Sequence, residues 1–213
     1  DIRRRAMDKI DFKKEFKQFY SPKAGKPEIV DMPPMQFAMV DGKGDPNKVK
    51  EFEEAVGALY SVVYGLKFGR KKAGKAPDFS AGALEGLWWS DVGEPFMIGE
   101  KDDWLWTVMI WLPDFIPQAE FDEMVDLTKQ KKPNPKFDSI RLEKIDEGKV
   151  VQILHIGPYD TEQSSVDLMH AFVAEQGYTQ TGKHHEIYLS DPRRSAPEKL
   201  KTIIRHPIKK KES

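Results

Sequence analysis

The order of predicted secondary-structure elements repeats once along the chain, and this repeat constrains the fold more than any other feature of the sequence. A strand, a helix and two further strands are predicted at 36–40, 45–66, 84–90 and 104–112. The same order follows at 149–156, 161–175, 184–189 and 201–206. This order predicts an α+β fold in which duplicated βαββ units form an antiparallel sheet with helices on one face. The opposite face is expected to form a central ligand cleft.

Three short motifs recur at matching points of the two halves. The pairs are Gly42-Lys43-Gly44-Asp45 with Gly157-Pro158-Tyr159-Asp160, Trp88-Trp89-Ser90-Asp91 with Tyr188-Leu189-Ser190-Asp191, and Thr107-Val108-Met109-Ile110 with Thr202-Ile203-Ile204-Arg205. Because the three matches occur in the same order, they support a duplication better than any one of them alone. This duplication makes Trp88 the equivalent of Tyr188.

The strand within the segment from Lys183 to Pro192 combines charged and aromatic side chains. Side chains alternate along a strand, so His184, Glu186 and Tyr188 share one face. If that face lines a cavity, a carboxylate beside a phenol suits ligand binding or proton transfer, since an unpaired buried charge is costly. The alternative is a solvent-facing row of polar side chains, which is common on antiparallel sheets.

Two local expectations concern the first helix and the loop after it. Asp45 is expected to cap this helix, with Pro46 in its first turn, and the apolar face is predicted to comprise Val49, Phe52, Val56, Leu59, Tyr60 and Val63. The basic, glycine-rich residues 67–75 are expected to form an exposed loop. A hairpin-like connection is predicted at 91–103.

The two ends of the chain are predicted to lie outside the repeats, which fill residues 35–208. Residues 1–34 are interpreted as an N-terminal extension, in which 1–6 precede the first methionine and are taken as a cloning remnant. Phe12, Phe16 and Phe19 mark a short amphipathic helix in this extension. Residues 209–213 are expected to be a frayed, basic tail.

Composition limits the classes of function. The net charge of −1 gives no field that favours nucleic acid or an anionic membrane, so neither is expected as a direct partner. The absence of cysteine excludes disulfides and thiol chemistry, and no apolar run reaches the roughly 20 residues of a membrane helix. We therefore expect a cytoplasmic protein. No cofactor is expected, because Gly42 and Gly44 lack the third glycine of a dinucleotide fingerprint.

Two further motifs resemble a known family when they are taken together. His155-Ile156-Gly157-Pro158-Tyr159 and Glu186-Ile187-Tyr188-Leu189-Ser190-Asp191-Pro192 resemble the GyrI-like small-molecule-binding domain, which is also the effector-binding part of bacterial multidrug-response regulators. The resemblance covers roughly residues 35–208. It implies the duplicated βαββ fold and an aromatic-lined cleft with one acid at its base, which by motif position is Glu186. Because too few residues precede the domain for a helix-turn-helix module, the resemblance implies a stand-alone member without direct transcriptional regulation.

The resemblance implies a hydrolase as the first functional hypothesis, since some stand-alone members open the cyclopropane of DNA-alkylating natural products. Such chemistry needs a base for water and a donor for the conjugated carbonyl. Glu186 is the candidate base, and Tyr188 or Tyr159 is the candidate donor. Trp88 and Trp106 are expected to sandwich a flat polycyclic or lipophilic ligand. Burial among indole rings is expected to raise the pKa of Glu186, provided that no cation neutralises it.

Other functions remain open. A non-catalytic binder that sequesters lipophilic or cationic drugs would use the same aromatic faces, with Glu186 as counter-charge. A protein partner such as DNA gyrase is implied by one family member that inhibits gyrase, although neither charge nor tail composition supports it here. A metal site is not expected, because adjacent histidines on a strand point to opposite faces and leave only His184 beside Glu186.

Overall fold

A computed structural model describes residues 9–91 and 100–212. Its helices, in chain order, are α1 (Phe12–Glu15), α2 (Lys17–Tyr20), α3 (Lys50–Lys72), α4 (Gln118–Lys131) and α5 (Gln163–Glu175). Its strands are β1 (Glu28–Asp31), β2 (Met35–Lys43), β3 (Leu84–Ser90), β4 (Trp104–Trp111), β5 (Arg141–Ile145), β6 (Lys149–Ile156), β7 (Tyr178–Gln180), β8 (His184–Tyr188) and β9 (Lys201–Lys210). Residues 1–6 and most of the predicted connection at 91–103 lie outside the described residues. The predicted α+β class with antiparallel strands is confirmed.

The described chain divides into two compact units. The first contains residues 9–16, 35–82, 90–91 and 100–145. In it β2 pairs antiparallel with both β4 and β5. The helix α3 buries Ala55, Leu59 and Val62 completely. Gly65 lies where α4 packs on α3, and a methyl group there would stand 2.7 Å from the sulfur of Met124.

The second unit contains residues 17–34, 83–89 and 146–212. Its strands follow the order β1-β6-β9-β8-β3, and β7 pairs with the end of β9. The helix α5 covers one face of this sheet, where His155 of β6 lies 2.8 Å from the hydroxyl of Ser165. The site is built in this unit, since β8, β3 and α5 carry its side chains.

The other face of the second sheet carries a buried ionic network. The imidazole of His185 lies 2.9 Å from a carboxylate oxygen of Glu85 and 2.9 Å from one of Glu147. The segment before β1 is attached here, because Tyr20 donates a hydrogen bond to Glu85 and Arg205 donates one to the carbonyl of Phe19. Burial acts to lower the pKa of His185, but the charges of Glu147 and Glu85 outweigh it and raise the pKa to about 9.

Several local predictions are wrong. Asp45 does not cap α3, which begins at Lys50; its carboxylate accepts from the backbone N–H of Asn47 in a turn instead. The helix runs through the predicted loop to Lys72, and Tyr60 of its predicted apolar face is exposed. The tail is not frayed at its start, because residues 209 and 210 pair with β7.

The N-terminal stripe folds as two single turns rather than one helix. The rings of Phe12 and Phe16 pack on Trp111 in the first unit, at centroid distances of 5.1 and 5.2 Å. Phe19 belongs to the second unit. Among the helices described, none is long and apolar enough to cross a membrane.

Candidate functional site

The strand β8 directs His184, Glu186 and Tyr188 toward the sheet face that α5 covers. In the register of the sheet, Glu186 lies opposite Gly86 of β3 and Ile204 of β9. Glu162 directly precedes α5, and its carboxyl group lies beside that of Glu186. The predicted location of the ligand groove, on the face opposite the helices, is therefore wrong for these side chains.

Glu186 is the centre of the site. Its Oε1 lies 2.9 Å from Nε2 of His184, and its Oε2 accepts a hydrogen bond of 2.6 Å from the hydroxyl of Tyr188. An ionised carboxylate can only accept hydrogen bonds, so Nε2 of His184 carries a proton. The side chain of Glu186 keeps 14% of its exposure, against 4% for His184. Glu186 therefore lies nearer the surface than the imidazole behind it.

A second carboxyl group, which the sequence did not predict as part of the site, lies against the first. Glu162 is only 2% exposed. Its carboxyl group lies beside that of Glu186, and its Oε1 has no hydrogen-bond partner among the described residues. Two buried carboxylates in contact repel each other strongly, so one of them takes up a proton. The pair therefore carries one negative charge.

The surroundings decide which carboxyl group holds the proton. Burial, followed by the charge of Glu186, raises the pKa of Glu162 far above its usual value. Burial also acts to raise the pKa of Glu186, but hydrogen bonds from His184, Glu162 and Tyr188 outweigh it and hold that pKa below its usual value. At neutral pH a carboxylic acid, Glu162, thus donates to a carboxylate, Glu186. The predicted rise in the pKa of Glu186 is wrong because polar donors surround this group.

Trp88 and Tyr188 form one wall of the site. The indole N–H of Trp88 donates to the hydroxyl oxygen of Tyr188 at 3.0 Å, and Tyr188 donates in turn to Glu186. A methyl group at Gly86 would stand 2.7 Å from Nε1 of Trp88, so the glycine leaves room for the indole. Burial, followed by the charge of Glu186, raises the pKa of Tyr188 well above its usual value. This phenol stays protonated at neutral pH.

Tyr159 lies at the outer edge of the same group. It is 40% exposed, and its ring meets that of Tyr188 edge-on at a centroid distance of 6.0 Å. Burial, followed by the charges of Glu186, Glu162 and Asp191, raises its pKa to about 12. Tyr159 therefore retains its proton, and its exposed ring is within reach of a ligand.

A row of imidazoles continues from His184 beneath α5. Nδ1 of His184 lies 2.7 Å from Nε2 of His206, and the ring centroid of His206 lies 5.6 Å from that of His170. Burial, followed by the charges of His184 and His170, lowers the pKa of His206 well below its usual value. A neutral His206 hydrogen-bonds His184 and so orients the imidazole toward Glu186.

The carboxyl pair can also be considered as a cation site. One ligand atom each from Glu162, His184 and Glu186 lies within 4.8 Å of the other two. A divalent cation accepts such nitrogen and oxygen donors. A proton shared by the two carboxyl groups would relieve their repulsion in the same place.

The structure brings Trp88, Tyr159, Glu186 and Tyr188 together in the second unit, whereas Trp106 belongs to the first. Trp106 is completely buried there, and its indole N–H donates to the carbonyl of Gly44 at 3.1 Å. Its ring packs edge-on against Phe52 at a centroid distance of 5.2 Å. A completely buried ring offers no surface to a ligand, so Trp106 has a core role in this structure.

Three solved structures resemble the whole chain in sequence and fold. An uncharacterized conserved protein from Listeria innocua is 42% identical, with a TM-score of 0.87, and the match covers 94% of this chain and 100% of that one. Two structures described as hydrolases from Listeria innocua are 41% and 40% identical, with TM-scores of 0.82 and 0.84 and the same coverage.

No curated protein matches the chain. The family described as the GyrI-like small molecule binding domain matches residues 25–209, which is most of the sequence. This chain therefore belongs to the family of GyrI-like small-molecule-binding domains.

Proposed function

We propose that this protein hydrolyses cyclopropane-bearing genotoxic natural products and thereby protects the cell. The observation that carries the proposal is the contact between two carboxyl groups, Glu186 and Glu162, beside tyrosine and tryptophan rings. Their surroundings lower the pKa of Glu186 and raise that of Glu162, which suits them to act as a carboxylate and a carboxylic acid. The similarity to two Listeria proteins described as hydrolases, over their whole length, supports a hydrolytic reaction.

Glu186 acts as the general base in this proposal. A water molecule beside its carboxylate attacks the strained ring carbon, the carbon–carbon bond breaks, and its electron pair moves into the conjugated carbonyl group. The water becomes strongly acidic as its oxygen bonds to carbon, so a carboxylate of low pKa is basic enough to accept its proton. The carboxylate charge also stabilises positive character at the carbon under attack.

Tyr159 acts as the donor to the carbonyl oxygen. The hydroxyl of Tyr188 already donates to Glu186 and accepts from Trp88, which leaves it no proton for a ligand. Tyr159 is exposed at the edge of the site, and its pKa of about 12 keeps it protonated at neutral pH. Its O–H can therefore polarise the carbonyl and protonate the oxygen as the ring opens.

A non-catalytic function is the second candidate, because one buried negative charge walled by aromatic rings is suited to a lipophilic cation. A sequestering protein would bind such cations and return them unchanged. Its affinity would depend on the charge of Glu186, whereas the affinity of the hydrolase for a neutral cyclopropane substrate would not.

The test is to incubate the purified protein with an intact DNA-alkylating agent that carries a cyclopropane conjugated to a carbonyl. Mass spectrometry should detect the adduct of one water, formed faster than in buffer alone. Glu186→Gln should slow hydrolysis by about 10²- to 10⁴-fold while retaining most of the affinity, since this is the usual contribution of a positioned base. Tight binding of the agent by the wild type without any turnover would refute the hydrolase and favour sequestration.

A further inference from the structure

One side of α3 presents a ladder of aromatic rings to solvent. Tyr60, Tyr64 and Phe68 are 37%, 38% and 57% exposed. Successive rings stack at centroid distances of 6.0 and 5.9 Å, since residues four apart lie on the same helix face. Large apolar side chains that are exposed side by side mark a surface for interaction.

Charged residues of opposite sign border this ladder at its two ends. Glu53 lies about two turns before Tyr60, and Lys71 lies about one turn after Phe68. Both are exposed. At about 100° per residue, both point within about 20° of Tyr64, so they belong to the same stripe. The neighbouring charges Glu54 and Arg70 are paired with Lys50 and Glu120. Among the described residues, Glu53 and Lys71 form no such ion pair.

We propose that this stripe, residues Glu53, Tyr60, Tyr64, Phe68 and Lys71, is a dimer interface that binds the same stripe of a second copy in antiparallel orientation. Glu53 and Lys71 are equally far from position 62, and about 27 Å separates them along the helix axis. An antiparallel second α3 that crosses near position 62 places each Glu53 opposite the other copy's lysine 71. A parallel arrangement would place like charges together.

The distribution of charges along the stripe indicates that its binding partner is a second copy of the same chain. A twofold interface uses the same patch on both chains, so the patch must complement itself under rotation. The stripe meets that condition, because it is acidic at one end, basic at the other and aromatic between. The proposal concerns only the first unit and does not depend on the proposed hydrolase function.

The experiment is sedimentation equilibrium of the full chain, in which the wild type should reach twice the chain mass of 24.5 kDa. Tyr64→Glu should yield monomers. Glu53→Lys and Lys71→Glu should each weaken the dimer about tenfold or more through like-charge repulsion, and the double variant should restore it because the pair is only exchanged. Glu175→Lys makes the same charge change at an exposed position of α5 and should leave the dimer unchanged.

Circular dichroism and thermal unfolding should be used to check that each variant is folded. Tyr64→Phe supplies a conservative variant that should stay dimeric. Wild-type protein that remains monomeric at the highest attainable concentration would overturn the proposal. So would a dimer that neither charge reversal weakens, or a double variant as weakly associated as the two single ones.

Discussion

Replacing Glu162 by glutamine tests whether the carboxyl pair holds one proton. Glutamine is neutral, has the shape of the protonated acid and still donates a hydrogen bond toward Glu186. If Glu162 is protonated in the folded protein, Glu162→Gln removes a titrating group without removing a contact. Its effect on stability should therefore depend on pH.

The magnitude follows from the raised pKa of Glu162, whose ordinary value is 4.5. Above that pH the unfolded chain releases a proton that the folded chain keeps. The stabilisation from this proton is therefore complete below the unfolded pKa, and it is lost as pH rises toward the folded pKa. The loss is about 1.4 kcal/mol per pH unit for one proton. From roughly pH 5.5 to roughly pH 7.5, the wild type should lose about 2.7 kcal/mol more than the glutamine variant.

The measurement is urea unfolding followed by tryptophan fluorescence, at several pH values, for both proteins. The difference in unfolding free energy should increase steadily with pH in favour of Glu162→Gln. Glu175→Gln, at an exposed position at the other end of α5, should show no such trend. Parallel pH dependences for the wild type and Glu162→Gln would refute the shared proton, since Glu162 would then be ionised equally in both states.

Three further outcomes are expected. Gly86→Ala should lower the free energy of unfolding by about 1–3 kcal/mol, because the new methyl group displaces Trp88. Gly57→Ala should not lower it, because the nearest atom to the new methyl group would be an ordinary 3.8 Å away. Thermal unfolding measures both variants. The stabilisation that His185 provides should be complete below its ordinary pKa of 6.5 and lost as pH rises through about 9, and His185→Gln should remove this part of the pH dependence. Tyr159→Phe should slow hydrolysis by about 10²-fold or more with unchanged unfolding temperature, and an unchanged rate would remove Tyr159 as the donor.

The fold was largely predictable because its long elements carry strong periodic patterns. The bounds of β3 and β6 and the end of α5 agree with the prediction to the residue. Two strands, β1 and β7, were not predicted, since four and three residues are too few to establish alternation. The start of α3 was predicted wrongly because an aspartate can accept a backbone hydrogen bond equally well in a turn before a helix and at the helix cap.

The site was predictable on the strand and not on the helix. Alternation along β8 suffices to group Glu186 with Tyr188, whereas a glutamate at the start of a helix is an ordinary surface residue that suits the helix dipole. Only the packing of α5 on β8 brings Glu162 to Glu186. Trp106 could have been assigned to the core from its register, because it pairs with Gly42, where a side chain would collide with the indole.

The two faces of β8 are coupled through its register. His185 forms hydrogen bonds with Glu85 of β3 and with Glu147, which lies just before β6, on the face opposite the site. Burying such charges contributes little to the net free energy of unfolding, but it can favour one arrangement of the strands over another. A slip of β8 by one residue would turn His185 into the site and Glu186 into the ionic network. We infer that the bonds of His185 select the register in which Glu186 lies opposite Gly86, and with it the space that Trp88 occupies.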